Sequence, residues 1–338
     1  MEKILTISIA AYNVENFITK TLDSFICDEK MMKLFEVIIV NDGSKDNTNL
    51  ISKRYADKYP DTFILLDKEN GGYGSTINSS LAIARGKYYK LVDGDDWVDN
   101  AQFAEFVIRL ENESADIVLT KYYRFNEPDG NIEIISNDME YNEIFINDIE
   151  KFTFSENLAM HQITYKTELL RKIGMHITEK CFYTDFEYNI KPLPYIRSVN
   201  AYNLCVYVYR IGREGQSVQR SSWFKNIEQG ITVSTNLAAY YESVKKDISS
   251  EKMRKYIRKA VSDSTKNKYV ILTSMPKDMK PLDKIKLYDK KLKSISEEIY
   301  QYTLDAATPK WRFLIKLMRN SGFVLFRPIN MLVRNFNP

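Results

Sequence analysis

The amino-acid sequence predicts an α/β fold: a doubly wound, mostly parallel sheet in the first half of the chain, followed by a helical C-terminal region. Over the first hundred residues, short apolar segments alternate with segments of helical period, which is the pattern of parallel strands joined by helices. After about residue 221 strand signals become few, and helical periodicity rich in lysine takes over. We therefore expect an α/β domain at residues 1–220 and a helical region at residues 221–338.

The first half of the sequence supports each element in turn. Apolar runs rich in β-branched and aromatic residues predict buried strands at 6–11, 35–40, 62–66 and 88–92. Between them, apolar residues at helical spacing predict helices at 14–26, 46–59 and 75–85. Further strands are expected at 115–125 and 202–210, with a strand and a helix within 158–172.

The composition excludes several classes of protein. Of the 338 residues, 44% are hydrophobic and 28% are charged, as in an ordinary globular protein. The formal net charge of +3 is too small to indicate nucleic-acid binding. The three cysteines form no CxxC motif, which argues against a zinc site or a disulfide framework. The sequence shows no signal-peptide pattern and no apolar run of about 18 residues, so it predicts a cytoplasmic protein.

Polar residues follow the predicted strands where the strands end. In chain order they are Tyr12-Asn13, Asp42-Gly43-Ser44, Gly71-Gly72 and Asp93-Gly94-Asp95. Because ligands of open α/β sheets bind at the carboxyl ends of parallel strands, all four groups should lie on one rim. The last group has two interpretations. Its carboxylates suit Mg²⁺ or Mn²⁺ bound to a diphosphate, and Asp-Gly is also a common turn.

Four sequence blocks, in this order, resemble the family 2 glycosyltransferases of the GT-A fold. The blocks are Ile9 to Asn13, Val37 to Thr48, Glu69 to Gly72, and Ala84 to Tyr88 leading into Asp93 to Asp96. The resemblance covers residues 4–220 and implies a GT-A catalytic domain. Such a domain transfers a sugar, with inversion, from a nucleotide-sugar to a hydroxyl of a glycan or lipid-linked acceptor in bacterial cell-surface polysaccharide synthesis. UDP is the nucleotide that family precedent favours, while GDP and dTDP stay open.

The resemblance also implies roles for the rim residues. Asp42 matches the aspartate that recognises the nucleotide base, and Ala11 and Tyr12 would line the base pocket. Asp93 and Asp95 match the pair that holds Mn²⁺ or Mg²⁺, with Asp95 as the direct ligand, and for Asp93 a contact with the ribose is the alternative. A metal there stabilises the negative charge that builds on the departing diphosphate. The remaining donor contacts are expected at Gly71, Gly72, Gly94, Arg210, Arg213 and the loop at 215–217.

Catalysis and acceptor binding are expected downstream. Tyr183-Thr184-Asp185 resembles the short acidic motif of the family, so Asp185 would be the general base that takes the proton of the acceptor hydroxyl. Glu187 is the local alternative, and it would otherwise be solvated. Trp97 is expected to pack on the donor or acceptor sugar, with a core role equally open. His161 is expected near the acceptor, although a lone histidine is more often a structural residue. Asp96 is expected to cap a helix or to support the metal ligands.

Three positions depart from the family pattern. Ala10 replaces a frequent proline, and Thr184 replaces the more common glutamate before Asp185. Ile77 stands where many members carry an arginine, which leaves open how the base or pyrophosphate is held on that side. A second function therefore stays open, namely a catalytically inactive nucleotide-sugar-binding subunit of a glycan assembly complex. A nucleotidyltransferase is disfavoured, because no Gly-rich loop with arginine and lysine follows the first strand.

The C-terminal segment 306–338 is basic and contains no acidic residue. Its basic residues are Lys310, Arg312, Lys316, Arg319, Arg327 and Arg334. Apolar residues stand at helical spacing at Trp311, Leu314, Ile315 and Met318, and again at Ile329, Leu332, Val333 and Phe336. A basic amphipathic helix with aromatic residues suits an anionic membrane surface. The alternative is a helix that packs on the rest of the protein and exposes its basic side to water.

Overall fold

The computed structural model describes residues 2–136, 140–154, 158–213 and 219–334, and the chain divides into two compact units. The first unit comprises Met1–Lys180 and Tyr195–Glu214, and the second comprises Cys181–Pro194 and Gly215–Pro338. Residues 181–194 thus belong with the C-terminal helices, whereas the sequence analysis groups them with the α/β domain. The domain boundary at residue 220 stays a prediction.

The first unit begins with the alternation that the sequence predicts. Its first four strands are β1 (Leu5–Ala11), β2 (Phe35–Asp42), β3 (Phe63–Lys68) and β4 (Tyr88–Asp93). The helices among them are α1 (Ile18–Asp23), α2 (Glu29–Met32), α3 (Thr48–Lys58) and α4 (Tyr73–Ile83). Helix α1 begins four residues later than predicted, because Asn13 adopts a positive φ of 53° and a turn at residues 15–17 precedes the helix.

The remaining elements of this unit complete the sheet. They are β5 (Trp97–Val98), α5 (Asn100–Glu111), β6 (Ile117–Asn126), β7 (Ile132–Ile135), β8 (Ile163–Lys166), α6 (Thr167–Lys172) and β9 (Val199–Ile211). They confirm the strands predicted at 115–125 and 202–210, and the strand and helix predicted within 158–172.

The nine strands of the described residues form one sheet in the order β3-β2-β1-β4-β8-β6-β9-β5, with β7 paired to β6. The first four strands are parallel to one another. Strand β8 runs antiparallel to both β4 and β6, and β9 runs parallel to β6. The α/β fold class is therefore confirmed, with a mixed sheet whose N-terminal half is parallel.

The strand register brings the polar strand ends together. Ala11 pairs with Asn41, Ala10 pairs with Asp93, and Asp42 pairs with Lys68. Strand β2 is buried along its whole length, so this strand is held between β1 and β3 by apolar packing as well as by its ladders. The strand ends thus share one rim, as the sequence analysis predicts.

The second unit is helical. Its helices are α7 (Asp185–Ile190), α8 (Arg220–Lys225), α9 (Ile227–Val244), α10 (Glu251–Ser274), α11 (Pro281–Ile295), α12 (Glu297–Asp305), α13 (Pro309–Asn320) and α14 (Phe326–Val333). Their core contains the buried side chains Tyr241, Ile257, Tyr269, Tyr288 and Leu292. Within the described residues, no helix has both the length and the apolarity that crossing a bilayer requires.

The basic C-terminal helices α13 and α14 are amphipathic, which is compatible with both membrane binding and packing on the rest of the protein. Ile315, Met318, Ile329 and Val333 are buried. Arg319 is also held inside, by an ion pair of 3.0 Å between its Nε and an oxygen of Asp289. The opposite side of the two helices exposes both basic and apolar side chains, namely Lys310, Phe313, Lys316, Arg327, Met331 and Leu332, and Val324 in the turn between the helices is exposed as well. Phe336 lies outside the described residues.

Candidate active site

The carboxylates at the end of β4 belong to a turn at residues 93–96 that packs against the end of β1. The backbone N–H of Gly94 donates a 3.1 Å hydrogen bond to the carbonyl oxygen of Ala10. A Cβ at Gly94 would lie 2.8 Å from that oxygen, which is too close for any side chain. The glycine therefore lets the chain turn against β1 and present Asp93 and Asp95 at the rim.

Asp95 is paired with an arginine in this structure. Its Oδ2 accepts a 2.9 Å hydrogen bond from Nε of Arg213, and the guanidinium makes a second contact with the same oxygen. The backbone carbonyl of Asp95 accepts a 2.9 Å bond from Nε of Arg210. Arg210 is itself buried and forms an ion pair with Glu127. Both arginines expected at the diphosphate therefore touch the predicted metal motif directly.

For Asp96 the sequence analysis left two roles open, a helix cap or a support for the metal ligands, and only the cap is wrong. Asp96 does not cap helix α5, because Asp99 does so through a 3.0 Å bond from the backbone N–H of Gln102. Asp96 is instead buried, and it accepts hydrogen bonds of 2.5 Å from the Tyr207 hydroxyl and 2.8 Å from the Arg210 backbone N–H. Burial, together with the charges of Asp95 and Asp93, holds the pKa of Asp96 well above its usual value.

Asp93, Asp96 and His161 form a cluster that could hold a metal ion. Their ligand atoms all lie within 4.8 Å of one another. Asp93 also accepts a 2.8 Å hydrogen bond from the hydroxyl of Tyr73, the first residue of helix α4. Carboxylate oxygens with one imidazole nitrogen suit Mn²⁺. Asp93 thus belongs both to this cluster and to the Asp93–Asp95 pair that the sequence predicts.

His161 is enclosed by tyrosines. Its ring stacks on Tyr209 at 4.3 Å between centroids and meets Tyr207 edge-on at 4.6 Å. Among the described residues its Nδ1 is buried without a hydrogen-bond partner. Burial lowers the pKa of His161 to about 3, and the charges of Lys90 and Arg124 add to this effect. A neutral imidazole with an unsatisfied nitrogen is the form that binds metals.

Lys90 was missed by the sequence analysis, although a lysine inside the apolar run of β4 was a visible signal. Its side chain is fully buried. The ammonium donates to the backbone carbonyls of His161 at 2.8 Å and Ile163 at 3.3 Å. Burial lowers the pKa of Lys90 to about 7. Lys90 thereby ties β4 to the segment that carries His161.

Asp42 is brought together with Gly71 and Gly72, as the sequence predicts. Its carboxylate accepts hydrogen bonds of 2.8 Å from both glycine N–H groups. Lys68, at the end of β3, donates a further bond of 3.0 Å to the same carboxylate. The sequence analysis missed Lys68, which supplies a cation near the helix where Ile77 replaces the common arginine. Ile77 itself is buried.

The residues predicted to line the base pocket and to make aromatic contacts differ in exposure. Ala11 is buried, whereas Tyr12 is exposed. The ring of Trp97 lies under the ammonium of Lys20 at 3.3 Å and meets Phe125 edge-on at 5.3 Å. These contacts give Trp97 a packing role, and its role in acceptor binding stays a prediction.

Asp185 lies in the second unit, as the first residue of helix α7. Burial raises the pKa of this carboxyl to about 6, against the lowering effects of two backbone N–H groups and Lys268. Glu187 is not solvated, contrary to the sequence analysis: it is buried and forms a 2.9 Å ion pair with Lys191. The predicted loop at 215–217 lies outside the described residues.

The sequence matches a family model over half its length. The family is described as Glycosyl transferase family 2, and residues 6–174 match. Glycosyltransferase GlyA of Streptococcus pneumoniae is 28% identical over 51% of this chain and 23% of its own length. The uncharacterized glycosyltransferase EpsJ of Bacillus subtilis is 35% identical over 37% of this chain and 35% of its own. The minor teichoic acid biosynthesis protein GgaB of B. subtilis is 38% identical over 27% of this chain and 10% of its own. The chain therefore spans about a third or less of these relatives.

Solved structures share the fold over nearly the whole chain. Residues 1–349 of S. aureus TarS, in complex with UDP-GlcNAc, align with a TM-score of 0.70 at 17% identity, over 98% of this chain and 91% of that one. The mannosyltransferase PcManGT from Pyrobaculum calidifontis, in complex with GDP-Man and Mn²⁺, aligns with a TM-score of 0.52 at 15% identity, over 99% of this chain and 88% of that one. At these identities the likeness shows the fold alone, and it confirms the GT-A-like class followed by helices.

The burial of His161 makes a prediction about its protonation. In the folded, metal-free protein we expect the imidazole to stay neutral above pH about 4, since its pKa is about 3. In the unfolded chain the pKa returns to about 6.5. The stability that the neutral ring contributes is thus complete above about pH 6.5 and is lost as the pH falls below it. The chain has two histidines, so ¹⁵N NMR titration of a His176→Gln variant reports His161 alone. The same sample in urea is the control, and a folded-state midpoint above about 5 contradicts the burial argument.

Proposed function

Because the chain belongs to glycosyl transferase family 2, we propose that it is an inverting, metal-dependent glycosyltransferase. It moves a sugar from a nucleotide-sugar to a hydroxyl of a glycan or lipid-linked acceptor. The observation that carries this proposal is the convergence of Asp42, Asp93 and Asp95 at the carboxyl ends of parallel strands. Such a rim is where α/β proteins bind nucleotides.

The donor is proposed to be a UDP-sugar. TarS, which shares the fold, was solved with UDP-GlcNAc and with UDP, and GgaB is named for teichoic acid biosynthesis. These names support a donor of this kind and a cell-surface polymer as the product. In this chain, the Asp42 carboxylate is oriented by the N–H groups of Gly71 and Gly72, at the end of the strand that pairs with the strand ending in Ala11.

A divalent metal, Mn²⁺ or Mg²⁺, is proposed to bind at Asp93 and Asp95. The residues fit such an ion: the carboxylates lie at one edge, and the Asp95 carboxylate already requires a cation, which Arg213 provides here. When bound, the metal would stabilise negative charge on the departing diphosphate as a Lewis acid. Arg213, released from Asp95, would then be available to a phosphate oxygen, which matches guanidinium geometry.

Asp185 is proposed to be the general base. Its carboxyl has a pKa of about 6, so it is ionised at neutral pH and still basic enough to accept a proton from a hydroxyl in the transition state. Its neighbour Glu187 is held by Lys191, which leaves Asp185 as the first choice. Trp97 and His161 stay proposed as acceptor contacts.

A peripheral position on the inner face of the cell membrane is proposed for this enzyme. The exposed side of α13 and α14 carries Lys310, Lys316 and Arg327 beside Phe313 and Leu332. Such a surface combines attraction to anionic lipids with apolar side chains that can enter the headgroup region. A lipid-linked acceptor would be presented at that surface.

Removing the Asp95 carboxylate tests the metal site. We expect Asp95→Asn to lose the Mn²⁺-dependent part of UDP binding in titration calorimetry, because an amide is a weaker ligand than a carboxylate for a hard cation. His161→Gln is the matched variant for the Asp93–Asp96–His161 cluster, and we expect it to keep metal-dependent binding. The reverse result, with binding lost in His161→Gln and kept in Asp95→Asn, would place the ion in that cluster and refute the assignment.

The base assignment is tested by Asp185→Asn. We expect donor binding to persist while transfer falls by roughly 10²–10⁴-fold, the contribution of a positioned base. Glu187→Gln, which changes the same charge on the same helix, is the control and should keep most transfer. If Asp185→Asn remains active and Glu187→Gln is inactive, the wrong carboxylate has been chosen. Donor binding without any transfer or hydrolysis by the unaltered protein would instead favour the inactive-subunit function.

Charge reversal on the exposed side of α13 and α14 tests the membrane proposal. We expect Lys310→Glu, Lys316→Glu and Arg327→Glu together to release the protein from vesicles of phosphatidylcholine and phosphatidylglycerol in co-sedimentation. Binding of the unaltered protein should weaken with salt, since the Debye length falls from about 10 Å at 0.1 M to about 3 Å at 1 M. The control reverses three exposed lysines of α11: Lys286, Lys290 and Lys291. Equal loss in both triple variants would mean that general charge, and not this surface, drives binding.

A further inference from the structure

The segment before Asp185 has a strained backbone. Tyr183 adopts a positive φ of 66°, which is uncommon for a bulky aromatic residue and costs free energy. Helix α7 begins two residues later at Asp185. Such strain persists only where the surroundings hold it in place. Here the side chain of Asn226 hydrogen-bonds the Tyr183 side chain, and a buried lysine lies over the Tyr183 ring.

That lysine is Lys268, in helix α10. Its side chain is only 8% exposed, and its ammonium lies 5.4 Å from the centre of the Tyr183 ring. Among the residues that the structure describes, no ion pair joins it to a carboxylate. Gly230 of helix α9 makes room for it, since a Cβ there would lie 3.1 Å from the Lys268 nitrogen. The fold thus brings a cation to this strained turn without giving it a direct counter-ion.

The charges around Asp185 leave Lys268 as the cation that acts on it. Burial lowers the pKa of Lys268 to about 8, and the charge of Asp185 acts in the opposite direction. On α7 itself, Glu187 is neutralised by Lys191. On α9, which packs against α7, Glu228 is paired with Lys284. The Tyr183 hydroxyl is a further titratable neighbour. Burial, with the charge of Asp185 as a smaller cause, raises its pKa, so this phenol stays neutral.

We propose that Lys268, from its place over the Tyr183 ring, is a positioning residue that keeps the Asp185 carboxylate ionised. The inference rests on the proposed function, in which Asp185 is the base. In that reaction the acceptor oxygen forms a bond to the anomeric carbon while the bond from that carbon to the diphosphate oxygen breaks. The diphosphate leaves with the electron pair, and Asp185 takes the hydroxyl proton. Only the ionised carboxylate can do so, and Lys268 favours that form by its charge.

The coupling can be measured without substrate. The pKa of Asp185 is raised in the folded protein, so its ionisation destabilises the fold, and this cost grows from about pH 4 and is complete above about pH 6. Relative to the parent, Asp185→Asn should therefore gain thermal stability as the pH rises through this range and then level off. In the Lys268→Met background we expect the pH at which this stability difference levels off to rise by roughly one unit, which is the low end of the effect of one opposite charge on a pKa. The full chain is used in all melts.

Two further variants separate coupling from packing. Lys268→Arg keeps the charge and should restore the levelling near pH 6, whereas Lys266→Met, on the same helix, should leave it unchanged. On the acidic side of the pH–rate profile of sugar transfer, Lys268→Met should raise the apparent pKa by the same amount. The KM for the donor should stay the same. If Lys268→Met folds poorly, Lys268→Gln carries the same test.

An unchanged levelling pH in Lys268→Met, or in Lys268→Gln, would overturn the proposal. So would a shift that Lys268→Arg fails to reverse, because that result would indicate packing and not charge. Failure of the proposed function is read separately. It would appear as full transfer by Asp185→Asn, which removes the catalytic role of the pair whatever the melts show.

Discussion

Concentrated negative charge at one edge of a parallel sheet is the constraint on which the rest of this structure depends. Asp42, Asp93, Asp95 and Asp96 all lie at the carboxyl ends of β2 and β4 or directly after them. Burial, followed by the charges of Asp95 and Asp93, raises the pKa of Asp96. Negative charge gathered in this way needs cations or hydrogen-bond donors beside it. Neighbouring groups compensate the charge of these carboxylates. Two glycine N–H groups and Lys68 contact Asp42, and Arg213 pairs with Asp95.

Compensation at Asp96 comes from the last strand of the sheet. Tyr207 and Arg210 of β9 both donate hydrogen bonds to its carboxylate, and β9 also pairs with the short strand β5 that follows the acidic turn. A one-residue change in the register of β9 would move the Tyr207 side chain to the other face, because side chains alternate along a strand, and would shift the Arg210 N–H away from Asp96. The parallel half of the sheet therefore supplies the carboxylates of the rim, and the mixed half supplies hydrogen-bond donors to one of them.

Buried lysines appear in both units, and they differ in what they face. Lys90 donates to two backbone carbonyls and acts as a tie between β4 and the segment of His161. Lys268 lies over an aromatic ring, and its charge acts on a carboxylate. Burying an ammonium group is costly in either place. At Lys90, hydrogen bonds to two backbone carbonyls offset that cost. At Lys268, the buried positive charge instead stabilises the ionised form of Asp185.

The sequence by itself determined the order of strands and helices, the shared rim and the family blocks, because these depend on local periodicity and on residues adjacent in the chain. It also predicted that Asp42 and the Gly71-Gly72 pair would lie on the same rim, since strand ends of a parallel sheet converge. The tertiary structure alone decided that Asp96 is a buried acceptor and not a helix cap. It also decided that Glu187 is paired and buried, and that Lys68, Lys90 and Lys268 face the site residues. Apart from the local Glu187–Lys191 ion pair, each of these depends on a partner from a distant segment. Burial, which sets the pKa of a carboxyl or an ammonium, is a property of the packed fold and not of the local sequence.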